Sequence, residues 1–250
     1  VARVILTQPQ PRVQSIAAAL RGRGHEAVEF SFTRIEFQPD AGLAGRLQGF
    51  DWIIATSPAA IAALADSLPH GWPVTPRAPG LGLIGPGSLA TLRQTGLDTQ
   101  CFNVVTAQHH PFDAAALMRQ APFDQPRGLR VLVVRGDTGR DDWIHDLRQV
   151  GADVEVCALY KRQAVEPAVE SRQQVSVWQR DLLPIYCVVT QSETAERLRL
   201  LPETAHLGQG ARRDVMLTIH PRIAQALEQA GFSRVRLVAP GQAALVAALE

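Results

Sequence analysis

Short runs of branched apolar residues alternate along this chain with stretches whose apolar positions recur every three or four residues. The runs are 3-RVILT-7, 27-AVEFSFTRIEF-37, 51-DWIIAT-56, 81-LGLI-84, 130-RVLVV-134, 153-DVEVCALYKRQ-163, 185-IYCVVT-190, 215-VMLTI-219 and 235-VRLVA-239. Most are short, continuous and rich in Val, Ile and Leu, as strands covered on both faces of a parallel sheet are. Between them, Trp143, Ile144, Leu147 and Val150 share one helical face, as do Ile61, Leu64 and Leu68. The alternation predicts an α/β protein with parallel sheets.

The pattern also repeats. Set over one another, residues 3–30 and 130–157 align Leu20 with Leu147, Arg21 with Arg148 and Gly24 with Gly151. Residues 53–64 and 187–198 align Thr56 with Thr190 and Leu64 with Leu198. Residues 84–96 and 219–231 align Pro86 with Pro221, Leu92 with Leu227 and Gly96 with Gly231. One such match is within the chance similarity of amphipathic helices. Three in the same order point to two related α/β lobes, the period being too long for a solenoid. The long, partly polar segments 27–37 and 153–165 also correspond, and are expected to pair as a ladder bridging the lobes.

Composition narrows the function classes. The 250 residues carry a formal net charge of +1, which gives no bulk electrostatic case for nucleic acid or an anionic membrane surface. No apolar run reaches the ~18 residues of a membrane span. The N-terminus begins directly with a strand, so no signal peptide is expected and the cytoplasm is the expected location. Cys101, Cys157 and Cys187 are odd in number, widely spaced and without a CxxC, which argues against a disulfide framework or a zinc site. The adjacent His109 and His110 suit a solvated loop better than a metal.

Residues 80-GLGLIG-85 match G-x-G-x-x-G, but the glycines lie inside the strand. A proline-broken segment precedes them and no acid follows about 20 positions on, so a nucleotide cofactor is rejected. Small polar residues recur where strands hand over to helices: Thr56-Ser57-Pro58, Gly85-Pro86-Gly87-Ser88, Gly136 to Arg140, and Thr190-Gln191-Ser192. Each alone reads as a helix cap. Four of them, matched between two lobes at the carboxyl ends of strands, suit an anion-binding cleft shared by the lobes. In 134-VRGDTGRDDWIHDL-147, Asp137, Asp141 and Asp142 fit turn and first-turn positions, where acids offset the helix dipole. Tyr160, in 158-ALYKRQ-163, either packs as a strand aromatic or donates a proton.

Taken together, 3-RVILTQPQP-11, 50-FDWIIATSPAAI-61, 83-LIGPGSLATLRQTG-96, 131-VLVVRGDTGRDDWIHDLRQVGADVEVCALYKR-162 and 187-CVVTQSETAERL-198 resemble uroporphyrinogen-III synthase over nearly the whole chain. The resemblance implies two flavodoxin-like lobes, residues 1–33 plus 167–250 and residues 38–155, joined by a two-stranded ladder of 27–37 and 153–165. It implies a cofactor-free, metal-free lyase that cyclises hydroxymethylbilane to uroporphyrinogen III, inverting ring D with loss of water. It further implies a monomer in transient contact with hydroxymethylbilane synthase. Tyr160 matches the family's candidate proton donor. Thr56, Ser57, Ser88, Gly139, Arg140, Thr190 and Ser192 match its substrate-holding turns. Three positions depart from the family pattern: Gln8 for an arginine, Ala55 for an aromatic, and His220-Pro221-Arg222-Ile223 for a turn bearing a hydroxyl. The departures at Gln8 and His220 motivate a rival reading, a bilobal small-molecule sensor or binding protein that has lost catalysis. A sugar-transferring twin-lobed enzyme would require a nucleotide site, and none is found.

Overall fold

The computed structural model describes residues 1–72, 78–97, 102–109, 112–139, 141–180, 183–209, 213–239 and 242–249. In chain order the elements begin β1 (Arg3–Leu6), α1 (Arg12–Arg21), β2 (Glu26–Glu29), β3 (Thr33–Phe37), α2 (Leu43–Arg46), β4 (Trp52–Ala55), α3 (Pro58–Asp66), β5 (Gly80–Leu83), α4 (Pro86–Leu92) and β6 (Val104–Thr106). They continue with α5 (Ala114–Met118), β7 (Arg130–Gly136), α6 (Asp142–Gln149), β8 (Asp153–Ala164), α7 (Val169–Trp178), β9 (Ile185–Val189), α8 (Thr194–Leu200), β10 (Val215–Thr218), α9 (Pro221–Gln229), β11 (Val235–Leu237) and α10 (Gln242–Ala247). Two compact units result: Val1–Ile35 with Gln163–Glu250, and Glu36–Arg162.

The first unit holds a five-stranded sheet in the order β2-β1-β9-β10-β11, parallel throughout. Alternate residues of its strands feed two cores, as a sheet covered on both faces requires. Ile5, Cys187 and Met216 pack with Trp178, Leu198 and Leu227 on one face. Val4, Leu6, Val188 and Leu217 pack with Val13, Ala17, Leu20 and Leu245 on the other. Val13, Ala17 and Leu20 recur at helical spacing, so α1 buries one stripe.

The second unit holds a six-stranded sheet in the order β3-β8-β7-β4-β5-β6. The pairs from β8 to β6 are parallel. Matching β7 and β8 with β1 and β2, and β4, β5 and β6 with β9, β10 and β11, gives the same strand order in both sheets. The sequence duplication therefore reflects one topology used twice, with its segments in a different chain order in the second unit.

The continuous strand expected over 27–37 is two strands in two sheets. Phe30, Ser31 and Phe32 are all buried, so the alternation a single strand needs is lost there. The Ser31 hydroxyl donates to the Gln8 carbonyl, and the two phenyl rings meet edge to face at 5.7 Å. The chain bends and resumes as β3 beside β8. The Gln38 N–H donates to Leu159 and the Val165 N–H to Phe32, the pattern of an antiparallel pair. The short strand β6, absent from the sequence-based expectation, extends the sheet beyond β5.

The glycines of 80-GLGLIG-85 serve packing. A Cβ on Gly80 would lie 2.5 Å from the Trp52 ring, and one on Gly82 2.9 Å from Phe123. Those two rings meet edge to face at 5.2 Å against β5. The motif thus clears space for aromatic side chains. Among the described residues, no helix is long and apolar enough to cross a membrane.

Candidate functional site

In an open parallel sheet, ligands bind beyond the carboxyl ends of the strands, where neighbouring crossovers depart to opposite faces. In the second unit that point lies between β4 and β7. The chain leaves β4 for α3 and β5 on one side, and leaves β7 for α6 and β8 on the other. Thr56 and Ser57 open the first path, and Arg135 and Gly136 open the second.

Ser57 is extended, precedes Pro58 at the first helical position, and caps α3 by accepting the Ala60 N–H on its Oγ at 3.1 Å. The same Oγ lies 3.0 Å from the Tyr160 hydroxyl. Thr56 directs both its N–H and its hydroxyl at the Val134 carbonyl, at 3.1 and 3.3 Å. Its hydroxyl therefore closes the end of the sheet.

A β-bulge puts Tyr160 in reach of Ser57. Partners on β7 and β8 run one to one from Arg130 and Asp153 to Arg135 and Ala158; then Gly136 pairs with Tyr160 and Leu159 is skipped. A one-residue slip reverses which face a side chain takes. Without the skip, Tyr160 would project from the face opposite Gly136. With it, Leu159 and Tyr160 are both buried although adjacent in the chain. The ring packs against Gly136, where a Cβ would come within 2.6 Å of Cε2.

The turn after β7 is built around Arg135, whose side chain is 10% exposed. Its Nε donates to the Gly136 carbonyl at 3.1 Å, and its Nη1 pairs with the Asp141 carboxylate. Gly139 has a φ of 157° and passes so close to the guanidinium that a Cβ would lie 2.6 Å from Nη2. Asp141 stands at the N-cap position of α6, within the turn the sequence predicts for it, and its carboxylate is also the counterion of Arg135. Asp142 does occupy the first turn of α6.

The other expected residues fall as follows. Ser88 sits in the first turn of α4 and is 3% exposed. Thr190 and Ser192 belong to the first unit, half-buried in the turn between β9 and α8. That turn is closed by the Thr194 N–H to Gln191 and the Ala195 N–H to Ser192. Arg140, Cys101 and His110 lie outside the described residues. Sequence reasoning missed Arg135, although an arginine directly between an apolar strand and a glycine was a visible signal. It also missed Thr7, whose N–H and hydroxyl both bond the Val188 carbonyl, a second instance of the arrangement at Thr56. His220, in the turn without the family's hydroxyl, caps α9 by accepting the Arg222 N–H on Nδ1 at 3.1 Å.

Among the described residues no three His, Cys, Asp or Glu side chains converge as metal ligands. Burial pushes the Cys187 thiol up, with a lesser push from Asp214, and burial also raises that of Cys157. Both cysteines are thus held as neutral thiols.

The arrangement offers a phenol and a serine hydroxyl in contact, at a rim of helix caps and turn N–H groups. Free N–H groups at helix starts attract anions in general, and a pair of hydroxyls in contact can pass a proton. Comparison with known proteins places this in context. The family profile described as uroporphyrinogen-III synthase HemD matches residues 14–247. The uroporphyrinogen-III synthase of Salmonella typhimurium is 26% identical over 247 residues, covering 94% of each chain. That of Escherichia coli is 25% identical over 246 residues, again covering 94% of each. Among solved structures, a mutant uroporphyrinogen III synthase from Thermus thermophilus superposes with a TM-score of 0.55 at 16% identity, covering 99% of this chain and 97% of that one. Uroporphyrinogen-III synthetase from Helicobacter pylori superposes with a TM-score of 0.53 at 14% identity, covering 100% and 99%. The structural likenesses carry the fold and the profile match carries the family: this chain belongs to the uroporphyrinogen-III synthase family.

Proposed function

We propose that this chain cyclises hydroxymethylbilane to uroporphyrinogen III, with ring D inverted and one water released. Family membership supports the reaction class, and the contact between Ser57 and Tyr160 is the observation that carries the chemistry. The substrate supplies its own driving force: an electron-rich pyrrole pushes out the oxygen of the terminal hydroxymethyl group. Hydroxide leaves poorly, so a proton must reach that oxygen as the C–O bond breaks. Tyr160 gives this proton from its hydroxyl, and water departs. The freed methylene carbon bonds to the α-carbon of ring D that already carries the bridge from ring C. The bond to that bridge then breaks, and the bridge carbon re-bonds at the ring's vacant α-carbon, so that the macrocycle closes with ring D inverted. The proton released as the pyrrole regains aromaticity restores the phenol.

Ser57 fits a supporting role. One lone pair of its oxygen is occupied by the Ala60 N–H. Its own hydrogen is then free to point at the Tyr160 oxygen, which leaves the phenol proton for the substrate and stabilises the charge growing on that oxygen. Most of the acceleration comes from holding the two ends of a flexible tetrapyrrole together. The acetate and propionate arms need N–H and hydroxyl donors for this. We assign that work to the positions the family resemblance implies, Thr190, Ser192, Gly139 and Arg140. Thr56 belongs to the framework beneath, its hydroxyl being taken up by the Val134 carbonyl, and Ser88, about as buried as Tyr160, joins the proposed donors. A cytoplasmic monomer that receives hydroxymethylbilane from its synthase is part of the same proposal.

The test is the rate at which hydroxymethylbilane disappears when the purified chain is added. Consumption well above the spontaneous rate and proportional to protein concentration is expected. A rate equal to the spontaneous one would overturn the proposal.

A further inference from the structure

The peptide unit joining Gly136 to Asp137 is gripped from both sides. Its carbonyl accepts from Arg135 Nε at 3.1 Å, and its N–H donates to the Tyr160 carbonyl at 2.9 Å. The grip falls at the bulge, where the ladder between β7 and β8 is interrupted and backbone groups need other partners. Next to it, the Asp137 carboxylate accepts the Arg162 N–H at 3.4 Å, a second tie between the turn and the strand bearing Tyr160. Gly136 lies on the Tyr160 ring and Gly139 lies on the Arg135 guanidinium, each too close to admit a Cβ. The turn is thus clamped between an aromatic ring and a buried cation.

We infer that Arg135 is a positioning residue for Tyr160: by fixing the Gly136 carbonyl it sets the bulge that aims the phenol at Ser57. The inference rests on the proposed role of Tyr160, but its geometric part stands apart from any activity. Arginine suits the task because its planar fork makes several bonds in fixed directions. Nε holds the carbonyl of Gly136 while Nη1 holds Asp141, so one side chain fixes both ends of the turn. Asp141 supplies the counterion from an exposed position, with 76% of its side chain accessible. Lysine, a point charge on a flexible stem, cannot hold both.

The chain contains two tyrosines, so in a Tyr186→Phe background Tyr160 can be labelled alone with 3-fluorotyrosine. Its fluorine resonance reads the ring environment without substrate. Arg135→Gln is expected to shift and broaden that resonance. Arg46→Gln, which removes a salt bridge to Glu155 near the start of the same strand, is expected to leave it in place. With unlabelled protein, Arg135→Gln is expected to lower kcat roughly ten- to a hundred-fold, with KM within about two-fold, since a displaced proton donor affects the chemical step. A Tyr160 resonance that coincides in Arg135→Gln and its parent would overturn the inference. If Arg135→Gln does not fold, Asp141→Asn removes the counterion more gently and is read by the same criterion. The spectrum does not depend on the reaction catalysed, so it separates failure of this inference from failure of the proposed function.

Discussion

The Tyr160 hydroxyl stands 3.0 Å from Ser57 Oγ, across 103 residues of chain, because a skipped residue in β8 turns the phenol toward the cap of α3. Neither residue is unusual alone. The contact joins a helix cap to a strand aromatic, so each residue contributes both to stability and to the proposed chemistry.

Replacing Tyr160 by Phe retains the ring on Gly136 and removes only the hydroxyl. The variant is expected to fold, with a stability loss of about 1 kcal/mol for the lost hydrogen bond. Its kcat is expected to fall roughly a hundred-fold, within the range of a positioned proton donor, with KM nearly unchanged. Steady-state kinetics alongside denaturant melts check both, and an unchanged kcat would reduce Tyr160 to packing.

Ser57 can be separated into its two roles. Ser57→Ala removes the cap and the contact with Tyr160, and is expected to cost about 1 kcal/mol of stability together with activity. Ser57→Asp restores a cap but, as a carboxylate, can only accept hydrogen bonds. It is expected to be as stable as the parent and to remain slow, because nothing donates to the Tyr160 oxygen. If the Asp variant recovers full activity, the proton direction assigned here is wrong.

Gly136 and Gly80 form a contrasting pair. An alanine methyl at Gly136 would press on the Tyr160 ring, and one at Gly80 would press on Trp52. Each is expected to cost about 1–3 kcal/mol as overpacking. Only Gly136→Ala is expected to reduce kcat in protein kept below its unfolding temperature. Equal losses of kcat would mean that activity follows general stability.

Cys187 gives a pH dependence of defined sign. Burial holds its thiol neutral in the fold, while the unfolded thiol ionises at an ordinary value near 9.0. The folded-state value is raised, so the contribution is fully present below 9.0 and is lost as pH rises beyond it. Parent stability relative to Cys187→Ala is therefore expected to decline by up to about 1.4 kcal/mol per pH unit in the alkaline range. A gap that widens with rising pH would contradict this burial.

Much of the architecture was legible in sequence. Continuous Val, Ile and Leu runs marked the buried parallel strands. The matches of Leu20 with Leu147 and Leu64 with Leu198 mark strand–helix units that recur in both sheets. The break at Phe30, Ser31 and Phe32 was not legible, because aromatic and serine residues also satisfy a strand pattern, and the bend depends on a bond to Gln8 across the fold. The candidate site was legible as a set of residue types at strand ends. Its internal order was not. The register skip at Leu159 and the grip of Arg135 on Gly136 arise from strand pairing, which local periodicity does not encode.

The isomer made from hydroxymethylbilane is the most direct measure of the proposed activity. Purified chain is supplied with the substrate, the products are oxidised to porphyrins, and the ratio of type III to type I is measured by chromatography. Type III is predicted to predominate, and its share to fall in Tyr160→Phe as spontaneous closure competes with the slowed enzyme. Type I alone, in the presence of folded parent protein, would contradict the proposed activity.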